Sequence, residues 1–316
     1  MNRAALTRLV KAEARAAGFH AVGVAAAHRV RDTDRIRAWL EAGRHGEMAY
    51  MAEHFFKRTD PRALLPGARS VVSVALDYYT PPAIGGTPGR GKISRYAWGD
   101  DYHAIVKDRL FAVLGKLEAE VPGLRGKCCV DTAPVPEKYW AVQAGIGWLG
   151  KHTNLITRDL GSWVFLGELI LDCDLEPDAP IPDHCGSCRR CLDACPTDAF
   201  PAPYQLDSTR CISYWTIEYR GERFPGAISR NLDGWVFGCD ICQDVCPWNR
   251  KFARPTGVEG FAPRPENVDQ PLEALLAMDE DDFRRRFRKS PVKRAKWGGF
   301  LRNVREAMGE RRRGPR

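Results

Sequence analysis

Residues 185–196 read CGSCRRCLDACP, and residues 239–247 read CDICQDVCP. Cys185, Cys188 and Cys191 recur at three-residue intervals, and Cys195 follows beside Pro196. Three thiolates so spaced wrap one side of a cubane 4Fe–4S cluster in a tight turn, and the fourth ligand must come from elsewhere. In two-cluster ferredoxins the Cys before Pro ligates the other cluster. On that pattern one cluster takes Cys185, Cys188, Cys191 and Cys246. The second takes Cys195, Cys211, Cys239 and Cys242, with Cys211 standing in for the first member of the second motif and an insertion before Cys239. The eight thiols close at four and four. Paired CxxC also suits zinc, but zinc explains neither the tripled interval nor the repeated Cys-Pro. The reading is a bacterial-ferredoxin-like module over residues 176–255.

Outward from the module, residues 176–183 (EPDAPIPD) are Pro-rich, which removes backbone donors and marks a boundary. Before it, helical and strand-like stretches alternate. Residues 3–17, 32–42 and 102–121 carry helical periodicity, and Asp32 is a start signal for the second. Residues 19–25, 70–77 (SVVSVALD), 127–130 and 163–171 read as strands. This alternation predicts an α/β domain over 1–175, so the whole chain is expected to be α+β. After the module, residues 256–316 read as a short helical tail. Asp279 can cap a helix running through Phe283 and Phe287, and an amphipathic helix is expected from about 299 to 308.

The chain has 316 residues, enough for about two domains. No apolar run reaches membrane-span length, and the charged N-terminus is unlike a signal peptide. A cytoplasmic location is expected, where clustered thiols serve as metal ligands or catalysts and not as disulfides. Cys128, Cys129 and Cys173 fall outside the motifs and read as buried small hydrophobes. The net charge of +8 is uneven. Residues 284–316 hold 14 Lys and Arg against 2 Asp and Glu, net +12, leaving 34 basic and 38 acidic residues, net −4, elsewhere. Such a tail suits a polyanion, nucleic acid first; charge alone leaves a solvated tail equally open.

A ferredoxin module occupies only a fraction of this chain, so the remainder is expected to hold what the electrons act on. Asp131 closes a predicted strand, a place where functional groups gather. Gly145, Gly147 and Gly150 write a literal GxGxxG, but it follows a helical stretch, which excludes a dinucleotide-binding turn. The segment KISRYAWGDDYH (92–103) interleaves aromatics with Arg95, Asp101 and His103. It reads equally as a pocket wall or a folded surface loop.

KISRYAWGDDYH (92–103), VDTAPVPEKYWAVQAGIGWLGKHTNLI (130–156), RCISYWTIE (210–218), the cysteine motifs and the tail FRRRFRKSPVKRAKWGGFLRN (283–303) resemble the epoxyqueuosine reductases. The resemblance implies cobalamin, as cob(II)alamin, held between the α/β domain and the ferredoxin module. It implies a tRNA substrate, the anticodon stem-loop carrying epoxyqueuosine at the wobble position, and one-electron feeding of the cobalt by the two clusters. Asp131 matches the family's proton donor, and a carboxyl buried against a corrin is expected to have a raised pKa. Corrin contacts are implied at Arg58, Ser94, Asp131, His152, Leu155, Leu166 and Ser208, and tRNA contacts at Arg220 and Arg223. Were Ser208 on the corrin, the second cluster would be the one that feeds cobalt. His152 is Asn in some relatives, so it is not read as a cobalt ligand, and the DxHxxG signature of base-off cobalamin domains is absent. Many relatives continue into a helical-repeat domain, whereas this chain ends at Arg316 and resembles a short form. An external one-electron reductant, such as flavodoxin or ferredoxin, no membrane partner and a monomeric state are expected. Two other readings share part of this pattern. A dehalogenase-like corrinoid reductase of a small molecule needs no basic tail, and a ferredoxin-type carrier needs no corrin.

Overall fold

The computed structural model describes residues 1–81 and 88–309. Residues 310–316, the end of the basic tail, lie outside the described residues.

The strand Ser70–Asp77 is buried at every position. Side chains alternate across a strand, so this one must be covered on both faces. Val72, Val74 and Leu76 join one core with Leu6, Val10, Leu110, Val113 and Leu117. Val71 and Ala75 join another with Trp140, Ala141 and Ile170. The helices Arg3–Ala16 and Tyr102–Glu120 supply the first cover and the short helix Glu137–Gln143 the second. Asn2 caps the first helix, its side chain accepting the Ala5 N–H at 2.8 Å. Asp32 stands at the N-terminus of Thr33–Glu41 as expected, but its side chain makes no capping bond.

The four-stranded sheet runs Ala21–Ala26, Ser70–Asp77, Val164–Leu171, Gly126–Cys129. Every pairing in it is antiparallel. The helix–strand alternation along the chain therefore holds, and the overall class is α+β. The connections, however, return the chain to neighbouring strands in opposite directions and do not build parallel crossovers.

The three expected units are not separate bodies. Arg90–Ile93 pairs parallel with Trp235–Phe237 and antiparallel with Gln270–Pro271, so one small sheet draws a strand from each. A second core unites Ile93 and Trp98 with Trp215, Phe237, Phe283, Phe287 and Phe300. The tail is thus part of the fold: most of its charges lie outward, Arg302 is buried, and its apolar stripe joins the core of the strand before Cys239. Asp279 and Asp282 form a capping box at the start of Glu280–Arg286, and the final helix spans Lys296–Gly309. The Pro-rich segment is also pinned. Asp178 accepts the Val24 N–H at 2.8 Å and pairs with Lys11 at 2.6 Å.

Candidate active site and metal centres

The eight cysteines gather in two groups. Cys185, Cys188, Cys191 and Cys246 line a cavity of about 180 Å³, together with His184 and Trp248. Cys195, Cys211, Cys239 and Cys242 line a larger one of about 400 Å³. Each group takes one member, Cys246 and Cys195 respectively, from the other motif. Two one-turn helices, Arg190–Asp193 and Ile241–Asp244, carry the motifs, and Pro247 opens the helix that follows Cys246. Gly238 has φ +69°, and a Cβ there would stand 2.4 Å from that of Ser94, so only glycine lets the Cys239 loop approach so closely.

Among the described residues, no three His, Cys, Asp or Glu are placed to hold a single metal ion. The thiols instead surround cavities, as a cluster several atoms across requires. Burial pushes the Cys191 thiol up to about 11, and the charges of Cys246, Cys185 and Cys188 push it the same way. Burial also raises Cys211, Cys239 and Cys242, and Cys242 feels Cys211 and Cys195. Thiolates so crowded and desolvated need a cationic core among them. On both counts the two groups fit iron–sulfur clusters.

The larger cavity is lined by Ser94, His152, Leu155 and Leu166 together with the cysteines. Its volume lies in the range of ligand sites, roughly 300–1,000 Å³. His152 is 2% exposed. Its Nδ1 accepts the Asn154 N–H at 3.1 Å, its Nε2 has no protein partner, and burial with the nearby Lys138 charge lowers it to about 4. A neutral imidazole with an unsatisfied nitrogen, set among leucines and polar amides, suits a broad apolar ligand rimmed by hydrogen-bonding groups. The wall residues fit a corrin on those grounds. Ser94 lines the cavity, but its hydroxyl donates to buried Asp240 at 2.5 Å.

Ser208 is not on that wall. It is buried, and its N–H donates to the carbonyl of Arg44 at 3.0 Å. The adjacency of the second thiol group to the cavity rests on the cysteines themselves. Arg58 stands near Asp131, Glu137 and Tyr50; burial lowers it, and its Nε has no protein partner.

Asp131 follows the strand Gly126–Cys129 at φ +38°, a strained left-handed backbone for a residue other than glycine. Its N–H donates to Glu137 Oε1 at 2.5 Å. Its Oδ2 lies 3.0 Å from His103 Nε2, and His103 Nδ1 lies 2.6 Å from Asp101 Oδ1. Asp101 also caps the helix Tyr102–Glu120 through the His103 N–H. The raised carboxyl expected at Asp131 is not found. Its side chain is 55% exposed; crowding by the protein works to raise it, but the hydrogen bond and charge of His103, with Tyr102 and Arg294, hold it below the usual range. The elevation falls on its neighbours. Burial, then the charge of Asp131, raises Glu137 to about 8. His103 rises to about 9 because its bonds to Asp101 and Asp131 overcome burial.

KISRYAWGDDYH is therefore a pocket wall. Tyr96 and Tyr102 line the larger cavity, and Tyr102 stacks on Phe165 with centroids 4.1 Å apart. Lys138 also lines it, its Nζ donating to Asn154 Oδ1 at 2.9 Å. Burial lowers Lys138, while Cys242, Glu137 and Asp131 act on it from both sides.

The tail reaches this site. Lys293 Nζ lies 3.4 Å from Asp101, and Arg294 pairs with Glu218 at 2.8 Å while its charge reaches Asp131. Arg220 is exposed, but its guanidinium donates to the carbonyls of Ile217 and Arg294 at 2.9 and 3.1 Å. Arg223 is exposed, and Trp215 is core, with its indole N–H on the Thr209 carbonyl at 2.7 Å. His103, Glu137, Lys138, Lys293 and Arg294 were not assigned roles from sequence. The GDDYH segment pointed to the first, and only charge to the last two.

Residues 58–132 match the family model "Epoxyqueuosine reductase QueG, DUF1730", and residues 184–249 match "4Fe-4S double cluster binding domain". The epoxyqueuosine reductase of Synechocystis sp. is 50% identical over 85% of this chain and 93% of its own. That of Leadbetterella byssophila is 46% identical over 93% of this chain and 96% of its own. A crystal structure of an epoxyqueuosine reductase with an epoxyqueuosine-modified tRNA-Tyr stem loop superposes with TM-score 0.89 at 32% identity, covering 97% of this chain and 81% of that one. On this identity and coverage the chain belongs to the epoxyqueuosine reductase family.

Proposed function

We propose that this protein reduces epoxyqueuosine to queuosine at the wobble position of tRNA, the last step in making that nucleoside. One observation carries the reading. A four-thiol group shares a cavity with Ser94, His152, Leu155 and Leu166, and the Asp101–His103–Asp131 line stands beside it. A mere electron carrier has no use for such a cleft. Cobalamin bound there supplies low-potential, two-electron chemistry, fed one electron at a time through two 4Fe–4S clusters.

The overall change takes up two electrons and two protons, opens the epoxide, leaves an alkene and releases water. The chain's own task is to hold those protons. His103 carries one at neutral pH, on Nε2 facing Asp131 Oδ2. Asp131 passes it to the departing oxygen and is reloaded from His103. Glu137, protonated to about pH 8, holds a second and fixes the Asp131 peptide. A general acid so placed contributes roughly 10²–10⁴-fold.

Arg58, Lys293 and Arg294 give the cleft mouth positive charge, and the exposed Arg223 and Arg220 extend it for tRNA phosphates. The ligands are Cys185, Cys188, Cys191 and Cys246 for cluster 1 and Cys195, Cys211, Cys239 and Cys242 for cluster 2. An external one-electron carrier, flavodoxin or ferredoxin, supplies the electrons. A single chain furnishes all eight thiols and the acid line, which supports a monomer. A tRNA substrate and reduced thiols support a cytoplasmic location, and no helix among the described residues is long and apolar enough to cross a membrane. The test is mass analysis of nucleosides after anaerobic incubation of epoxyqueuosine-tRNA with protein, cobalamin and a low-potential reductant. Conversion to queuosine is expected; none under full cluster reduction rejects the reading.

A further inference from the structure

The smaller cavity has an outer side that the reaction does not use. Of its four cysteines, Cys191 and Cys246 are buried, whereas Cys185 and Cys188 are only half-buried. Gly186, Ser187, Arg189 and Arg190 between and beside the ligands are exposed, so the Cys185–Cys188 loop is the edge of cluster 1 that meets solvent. Lys151 Nζ sits under that loop, donating to the carbonyl of Cys188 at 2.9 Å. His152 lines both cavities, so the two cages are neighbours across this residue.

Around this edge the charge is basic, whereas residues 1–283 taken together carry net −4. Segments 184–190 and 247–254 hold five Arg and Lys between them and no Asp or Glu. Arg189, Arg190, Arg250 and Lys251 are all exposed, as is Arg158, whose guanidinium lies 3.4 Å from His184 on the cavity wall. The acids nearby are few and partly engaged. Asp193 pairs with Arg189 at 3.6 Å, Asp183 accepts the Cys185 N–H at 2.7 Å and the Tyr204 hydroxyl, and Asp159 stands beside Arg158. The collar has an aromatic floor. Trp148 meets Trp248 edge-on at 4.7 Å, and Trp248 stacks on Phe252 at 5.2 Å, beneath the Lys251 ammonium.

We propose that this basic collar over the Cys185–Cys188 edge is the docking face for an acidic one-electron carrier protein. It rests on the reading of cluster 1 as the entry point for electrons. Each encounter oxidises the carrier by one electron and reduces cluster 1 by one, with no bond made or broken. Complementary charge acts mainly on the encounter rate, which falls steeply with salt. Polyanionic RNA is the other candidate for a basic face. The acid line and the Lys293–Arg294 charges stand at the larger cavity, which puts the RNA on the cluster 2 side.

The test uses the holoprotein with both clusters and cobalamin, mixed anaerobically with flavodoxin hydroquinone. Loss of cluster absorbance is followed against salt concentration. Arg190→Glu and Lys251→Glu should each slow the carrier reaction several-fold, and together about tenfold or more at low salt. The double variant should lose most of the salt dependence. Its reduction by photogenerated deazariboflavin radical, small and neutral, should be unchanged, as should its affinity for the tRNA stem loop. Lys251 lies outside the cysteine loops, and iron content checks that each variant holds its clusters. An unchanged carrier rate in the double variant overturns the proposal. So does an equal loss with the small reductant, or a loss of stem-loop affinity with carrier kinetics intact. A carrier-specific loss supports the docking face even in a preparation that converts no epoxyqueuosine, so the two readings fail separately.

Discussion

The two four-thiol cages are built from near-repeats of one motif, and their surroundings differ. The cage of Cys185, Cys188, Cys191 and Cys246 has an edge facing solvent beneath a ring of cations. The cage of Cys195, Cys211, Cys239 and Cys242 opens instead on a cavity shared with His152, Leu155 and Leu166. The motif specifies ligation; the residues around each motif specify what the cluster is for. One cage looks outward and the other inward, with His152 between them.

The strongest way to break this comparison is to remove the inward cage. Cys242→Ala should abolish reduction of bound cobalamin by a carrier while cluster 1 still reduces, read by paramagnetic resonance. Cobalt reduction at the normal rate would overturn the division of labour. Next come the acid-line variants. Asp131→Asn should retain cobalamin binding and cluster reduction but lose roughly 10²–10⁴-fold in turnover. His103→Gln should lose less at neutral pH and flatten the pH profile, which in the natural protein should fall as pH rises through about 9. The folded pKa of His103 is raised from 6.5 to about 9, so the stability its bonds lend is complete below about 6.5 and lost as pH rises through 9. Thermal midpoints across that window should show the loss, and His103→Gln should remove it.

A smaller effect sharpens the contrast between cages. Lys138 is close enough to Cys242 and Cys211 for their charges to act on it. Lys138→Met should lower the potential of cluster 2 by the equivalent of about 1 kcal/mol of lost attraction and leave cluster 1 unmoved. Equal shifts in a redox titration would mean that the cages are not electrostatically distinct. Smallest of all, Ser208→Ala should leave cobalamin affinity unchanged and cost less than about 1 kcal/mol in stability.

Much of this was legible in the sequence, for local reasons. SVVSVALD shows its strand through β-branched content, and the observed bounds agree with the expected ones. The cysteine intervals encode a cage because ligand spacing is itself local. What was hidden is long-range. Nothing in residues 92–103 says that His103 meets an aspartate 28 residues on. The direction of the Asp131 shift depends on that imidazole, which no local pattern reveals. Charge composition made the tail look detachable, whereas the apolar stripe through Phe283, Phe287 and Phe300 buries it against Trp98 and Phe237.

Arg302 and Asn303, in the last described helix, give that burial a temporal meaning. Both side chains are buried. Arg302 donates to the carbonyl of Trp215 at 3.2 Å, and Asn303 donates to those of Thr216 and Val236, each at 2.8 Å. These carbonyls belong to the helix after Cys211 and the strand before Cys239, so residues made late in translation clasp the two halves of the inward cage. The outward cage takes its last ligand at Cys246, and Trp248 completes its wall. The expected consequence is an order of maturation, cluster 1 before cluster 2, because the clasp on the inward cage is made by the last described helix. A chain halted just short of Arg302 should carry about half the iron of the finished protein, and a full iron complement would show that the clasp is not required.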